Sequence, residues 1–309
     1  MALLLKSYVE RVDDWHRALR ALLPDVPVHD WPYDGDPREI EFALVWGPPR
    51  GALRRFPNLK AIFSIGAGID HLASDPELPE HVPVVRMVDP GLTAGMTEFV
   101  LLSVLYHHRF MLDYAAQQRA KDWREIAQVP AGRRRIGVMG LGVLGGAAAA
   151  ALAHLGFAVA GWSRSPKRQP GIAAFHGAEG WLPFLARSDI LVCMLPLTAE
   201  TEGILNARAF AALPRGAAVI NVARGGHVVE ADLLAALDSG QIGGATLDVF
   251  RDEPLPLESR FWSHPRVVLT PHIASMTTPD SAAKAVVDNI RRLRAGQPLE
   301  HVVDPRRGY

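Results

Sequence analysis

The chain has 309 residues, 33 Lys and Arg balanced by 33 Asp and Glu, and hydrophobic residues at 49% of positions. That length exceeds one ordinary core, so two domains are expected, and the zero net charge argues against nucleic acid or an anionic membrane as the main partner. The single cysteine, Cys193, lies in an apolar run and reads as a small core hydrophobe. It excludes an internal disulfide framework, and with no secretory pattern in Met1-Ala-Leu-Leu-Leu-Lys6 it fits a reducing cytoplasm.

Ala2–Lys6 reads as a strand and Val9–Leu23 as an amphipathic helix stopped by Pro24. Phe42–Trp46 is a second strand, broken by Gly47-Pro48-Pro49, and Leu59–Ile65 a third that runs into Gly66-Ala67-Gly68. Strands alternating with helices mean βαβ units and a parallel sheet, whose ligands bind beyond the carboxyl ends of the strands. Trp46 and the Gly66–Gly68 turn sit at such ends. The two glycines are either turn punctuation or backbone amides offered to an anion. After the Pro90-Gly91 break, Thr97–Lys121 reads as one long helix. Its first part, Phe99–Leu105, is apolar on nearly every side and is expected to be buried between the domains. The polar continuation to Arg124 is a solvated face or a cover for a neighbouring subunit.

The rest of the chain is organised around Arg135–Gly145, a short apolar run ending in Gly140-x-Gly142-x-x-Gly145. Such spacing implies a strand, a tight turn at Gly140, a backbone open to a pyrophosphate at Gly142, and close helix packing at Gly145. Helix-start amides at Val143 and Leu144 would then hold the phosphates. The uncharged stretch Ile136–Ala153 is long enough to suggest a membrane span, but its glycines interrupt it where a βα turn belongs. Further strands are expected near Phe157–Trp162, Asp189–Met194, Ala217–Val222, Ala245–Val249 and Val267–Leu269, with a helix over Glu230–Ser239. Beyond Pro279, Val286, Ile290 and Leu293 form one helical stripe, which suggests a return to the first domain. The expected fold class is therefore α/β, with two flavodoxin- or Rossmann-like domains on parallel sheets. Residues 1–96 and 276–309 would form a discontinuous substrate domain and 97–275 the nucleotide domain.

An NAD-binding fold of this type carries an acid about 20 positions past the glycines for the ribose 2′-hydroxyl. Here the second strand ends in Ser163-Arg164-Ser165, with Lys167 and Arg168 following. A guanidinium and hydroxyls suit a 2′-phosphate, so NADPH is expected over NADH, with Arg164 as the main determinant.

Arg224, Glu253 and His272 lie at the ends of successive expected strands. Reducing a 2-keto acid needs a cation for the carboxylate, an acid for the carbonyl oxygen and a hydride donor. Arg224 suits the first, His272 the second, and a carboxylate such as Glu253 beside the imidazole favours its protonated form. No metal is expected.

The glycine turn, Asn221-Val-Ala-Arg-Gly225, Asp248-Val-Phe-x-x-Glu-Pro-Leu-Pro256 and Thr270-Pro-His-Ile-Ala274, in this order, resemble the D-isomer-specific 2-hydroxyacid dehydrogenases over nearly the whole chain. Ala43–Pro49, Gly66–Asp70, Gly161–Ser165 and Asp304–Tyr309 look most like its glyoxylate/hydroxypyruvate reductase branch. The resemblance implies NADPH-dependent reduction of small 2-keto acids by a homodimer joined through the nucleotide domain. It assigns substrate binding to Arg224, the proton to His272 and its pairing to Glu253. It also places Asp248 on the nicotinamide carboxamide, Pro196 and Ala223 at further cofactor contacts, and Gly68 as an amide donor to the substrate carboxylate. Trp46 would limit the space beside the substrate or else serve the core, and Ala67 is expected with it among the substrate contacts. Two alternatives remain at this point: a reductase of larger 2-keto acids such as phenylpyruvate, and a non-catalytic NAD(P)H-sensing interaction protein.

Overall fold

In a computed structural model that describes residues 1–7 and 11–308, the chain divides into two compact units, Met1–Thr93 with Met276–Tyr309, and Ala94–Ser275. The first begins with β1 (Ala2–Lys6), α1 (Val12–Leu22), β2 (Val28–Asp30), β3 (Ile40–Val45), β4 (Ala61–Ser64), α2 (Asp70–Ala73) and β5 (Val84–Val85). The helix start expected at Val9 falls outside the described residues. β1 is apolar for four residues running, as parallel strands covered on both faces are. Leu3 and Leu5 pack with Trp15 and Leu19, whereas Ala2 and Leu4 join Ile40 and Leu53 in the opposite cluster.

Two helices, α3 (Pro90–His108) and α4 (Met111–Ala120), replace the single one expected over Thr97–Lys121. The chain already turns helical at Pro90, because proline's fixed φ and missing N–H suit a first helical turn. It breaks at Phe110, which adopts a left-handed φ of 58°. Nor is Phe99–Leu105 buried all round. Val100 and Val104 are inaccessible in the core of the second unit, but Leu102 is 62% exposed. Only one stripe of this apolar helix is covered.

The second unit continues with β6 (Arg135–Met139), α5 (Val143–His154), β7 (Ala158–Ser163), β8 (Ala173–His176), α6 (Gly177–Ala186), β9 (Ile190–Cys193), α7 (Ala207–Ala212), β10 (Ala217–Asn221), α8 (Glu230–Asp238), β11 (Ile242–Leu247) and β12 (Val267–Leu269). These strands form one parallel sheet in the order β12-β11-β10-β9-β6-β7-β8. Ile136 and Val138 of β6 pack with Ala148 and Leu152, and Met139 faces the other way onto Phe184 and Leu191. The strand order reverses at β6, so the turn after β6 opens at the switch point where such sheets bind ligands. The stretch Ile136–Ala153 is thus strand, turn and helix, and no helix among the described residues is long and apolar enough to cross a membrane.

α9 (Pro279–Arg294) and β13 (Val302–Val303) return the chain to the first unit. Val286 and Ile290 are buried there with Leu19, and β13 pairs antiparallel with β5 at the end of the order β13-β5-β4-β3-β1-β2.

Candidate active site

The three glycines after β6 have distinct physical roles. Gly140 has φ of +96°, and a β-carbon there would stand 2.7 Å from the Met194 carbonyl oxygen. A β-carbon on Gly145 would stand 1.9 Å from the Gly140 oxygen, so helix and turn meet at a distance only glycine permits. Gly142 differs, since nothing of the protein lies within 4 Å of its missing β-carbon. It caps α5 with no side-chain hydrogen bond to the helix's first amides. Uncapped N–H groups at Val143 and Leu144, beside an open glycine, fit the diphosphate of a dinucleotide.

At the end of the neighbouring β7, Ser163 is buried and its Oγ donates to the Ser165 carbonyl at 2.8 Å. Arg164 is exposed, with Glu200 Oε2 3.9 Å from its Nη1. Ser165 is exposed as well. Lys167 reaches back to the Leu141 carbonyl at 3.1 Å, and Gln169 to that of Gly146 at 2.7 Å, so this segment braces the glycine turn. No carboxylate occupies the strand end itself.

Arg224, Glu253 and His272 follow β10, β11 and β12, three adjacent strands. His272 Nδ1 lies 2.8 Å from Glu253 Oε2, and the other carboxylate oxygen accepts the Phe250 N–H at 2.9 Å. Burial alone would push the Glu253 carboxyl up. The hydrogen bonds from His272 and Phe250 and the charges of His272 and Arg224 outweigh burial and hold it below the usual carboxylate range. An ionised carboxylate only accepts, so the Nδ1 position of His272 carries the hydrogen. The Arg224 guanidinium donates from Nη1 to the Ala223 carbonyl at 2.7 Å.

His272 has a left-handed φ of 55°, unusual for a side chain with a β-carbon and costing about 1–2 kcal/mol. Asp248 holds it there. Its carboxylate accepts from Thr270 Oγ1 at 2.6 Å and from the amides of Ile273 and Ala274 at 2.8 Å each, and its carbonyl accepts the His272 N–H at 2.8 Å. Burial raises the Asp248 carboxyl above its ordinary value despite those bonds. The residue expected on the nicotinamide is therefore also the anchor of the histidine loop.

In the first unit, Trp46 follows β3 and Gly66–Gly68 follow β4. The indole lies against His71 at a tilt of 43° with centroids 4.4 Å apart, and a β-carbon on Gly66 would approach it to 2.5 Å. Trp46 and Ala67 both pack against that unit's core, and the Gly68 carbonyl accepts from Ser64 Oγ at 2.9 Å. Pro196 follows β9, and its carbonyl accepts from Thr201 Oγ1 at 2.7 Å. Cys193 is fully buried, which pushes its thiol up to about 12 and leaves it unreactive.

Thr270 and His227 escaped the sequence reading. The first was legible as a hydroxyl two residues before the candidate histidine. The second stands three residues after Arg224, in a Gly-Gly-His turn read only as far as its first glycine.

A helix start shaped for a diphosphate and, on the same sheet edge, an imidazole braced by a carboxylate define a nucleotide-dependent oxidoreductase. The profile of the D-isomer specific 2-hydroxyacid dehydrogenase NAD-binding domain matches residues 101–274. Glyoxylate/hydroxypyruvate reductase A of Yersinia enterocolitica is 42% identical over 300 residues, 96% of each chain. The Xanthobacter autotrophicus D-isomer specific 2-hydroxyacid dehydrogenase, solved with NADPH and MES, superposes with a TM-score of 0.96 at 49% identity, covering 100% of this chain and 99% of that one. The NADPH-dependent glyoxylate/hydroxypyruvate reductase of Sinorhizobium meliloti, solved with NADP and sulfate, gives 0.94 at 42% identity, with the same coverage. The chain belongs to the D-isomer specific 2-hydroxyacid dehydrogenases.

Proposed function

We propose that this protein reduces small 2-keto acids with NADPH, glyoxylate to glycolate and hydroxypyruvate to D-glycerate. The observation that carries the reading is the 2.8 Å contact between His272 Nδ1 and Glu253 Oε2, at a strand end next to that of Arg224. Arg224 binds the substrate carboxylate and polarises the adjacent carbonyl. His272 gives its Nε2 proton to the carbonyl oxygen, and Glu253 keeps the imidazole oriented and stabilises its charged form. When bound, NADPH supplies the hydride that completes the alcohol. Gly140, Gly142, Val143, Leu144 and Gly145 would hold its diphosphate, Arg164 with Ser163, Ser165 and Lys167 its adenosine end, and Pro196, Ala223 and Asp248 its nicotinamide end.

Substrate contacts at Trp46, Ala67 and Gly68, assembly as a homodimer through the nucleotide-binding unit, and residence in the cytoplasm belong to the same proposal. The family resemblance supports them. Steady-state oxidation of NADPH and, separately, NADH with glyoxylate, hydroxypyruvate and phenylpyruvate tests the whole. Turnover of the two small acids with NADPH preferred is the expected result. Phenylpyruvate as the best substrate would move the reading to a larger-acid reductase, and no turnover with any acid would remove it.

A further inference from the structure

His227 is a fully buried ring on the short turn Gly225–His227, directly after Arg224. Its surroundings determine its protonation pattern. Nε2 lies 3.2 Å from the Pro196 carbonyl, which only accepts, so Nε2 carries a hydrogen. In the neutral ring Nδ1 is then an acceptor, and it lies 3.2 Å from the Arg224 N–H, which only donates. The Arg224 carbonyl also lies 3.0 Å from Nδ1, but Asn221 Nδ2 donates to it at 2.9 Å. One neutral tautomer therefore suits both the Pro196 carbonyl and the Arg224 N–H.

The main chain of Arg224 is gripped on both sides, its N–H by His227 and its carbonyl by Asn221. The next residue leaves no slack, since a β-carbon on Gly225 would stand 1.8 Å from the Phe250 carbonyl carbon. A long flexible side chain can meet a small substrate reproducibly only if its Cα direction is set. We infer that His227 is a positioning residue for keto-acid binding: through Nδ1 it fixes the backbone from which Arg224 projects, and through Nε2 it ties that backbone to the Pro196 turn after β9. The inference rests on the reading of Arg224 as the carboxylate-binding residue.

The test uses the whole enzyme with NADPH and glyoxylate, with thermal unfolding as the check on folding. His227→Phe keeps the ring and loses both nitrogens. It should raise KM for glyoxylate about tenfold, the usual effect of one lost hydrogen bond, while NADPH affinity measured without keto acid stays within about twofold. His227→Asn, whose amide oxygen reaches the Nδ1 position, should restore KM to within about threefold of the parent. His227→Gln, whose amide reaches the Nε2 position, should not.

If the ring variant does not fold, the Asn and Gln pair decides alone. Coupling supplies the second readout: in an Arg224→Gln background the His227→Phe change should cost less than about twofold, because interacting positions are not additive. Equal penalties in both backgrounds, an unchanged KM in folded His227→Phe, or Asn and Gln behaving alike would overturn the inference. Should Arg224→Gln itself leave KM unchanged, the reading of Arg224 falls and this inference with it. If Arg224→Gln raises KM and the His227 variants do not, only this inference falls.

Discussion

Two stretches of one sheet edge in the second unit are preorganised by opposite means. After β6 the order is built from missing side chains: Gly145 lets α5 close on Gly140, and Gly142 leaves the helix start bare. After β10, β11 and β12 it is built from side-chain hydrogen bonds, with Glu253 on the imidazole and Asp248 on the amides of the same loop. The difference teaches that the two functions should be separable. Binding that depends on backbone shape tolerates no added atom, whereas proton transfer depends on single groups that can be removed without moving the chain.

The largest effect should follow from removing the proton donor. His272→Ala is expected to lower kcat by about 10²–10⁴, the usual range for a lost general acid, with NADPH affinity unchanged. A stopped-flow single turnover at wild-type speed would remove His272 from the chemistry. Gly145→Ala should do the reverse. Its β-carbon collides with backbone rather than with a flexible side chain, so the turn must shift. A stability loss of about 1–3 kcal/mol should accompany weakened nucleotide binding, read by calorimetry and by NADPH fluorescence titration. Should both variants lose nucleotide affinity and turnover in step, the separation drawn above would be wrong.

Arg164 sharpens the comparison within the nucleotide end. Unlike the glycines it is an exposed side chain, and its ion-pair distance to Glu200 is long at 3.9 Å. Such a pair contributes little to stability, so Arg164→Ser should leave the unfolding midpoint alone. It should raise KM for NADPH about tenfold and spare that for NADH, because only the former carries the 2′-phosphate. A parallel rise for both nucleotides would show that Arg164 does not read that phosphate.

The parts legible in the sequence were those where one residue type is physically required at one place. Glycine spacing marks the βα turn, and the rule that ligands meet strand ends points to Arg224, Glu253 and His272 from their positions alone. What escaped has a common cause. The break at Phe110 carries no glycine or proline, although its φ of 58° is left-handed. The exposure of Leu102 depends on which stripe of an apolar helix finds a partner. β8 begins Ala-Ala and is mostly exposed, without the alternation that marks a strand. Thr270 bonds Asp248 and His227 reaches the Pro196 carbonyl, partners 22 and 31 positions away that no local window contains.

A further effect concerns a histidine outside both stretches, and it separates acid loss of activity from acid loss of fold. His107, on α3, has Nε2 2.9 Å from Thr246 Oγ1 on β11. Burial, and then the Arg266 charge, push the imidazole down from 6.5 to about 4. The unfolded chain thus takes up a proton near pH 6.5 and the native one only near pH 4. Between those values unfolding is coupled to proton uptake, so this contribution to stability is complete above the upper value and declines by about 1 kcal/mol per pH unit on the way down. His107→Gln keeps a donor for Thr246 and removes the titration, and should flatten the fall in Tm across that window. Glu253 acts lower: held below its ordinary value, it gives stability that is full above the usual carboxylate range and is lost as pH falls through the native value. If the kcat profile of His107→Gln matches the parent while its Tm profile is flatter, the acid limb of activity belongs to the reacting end and not to the fold.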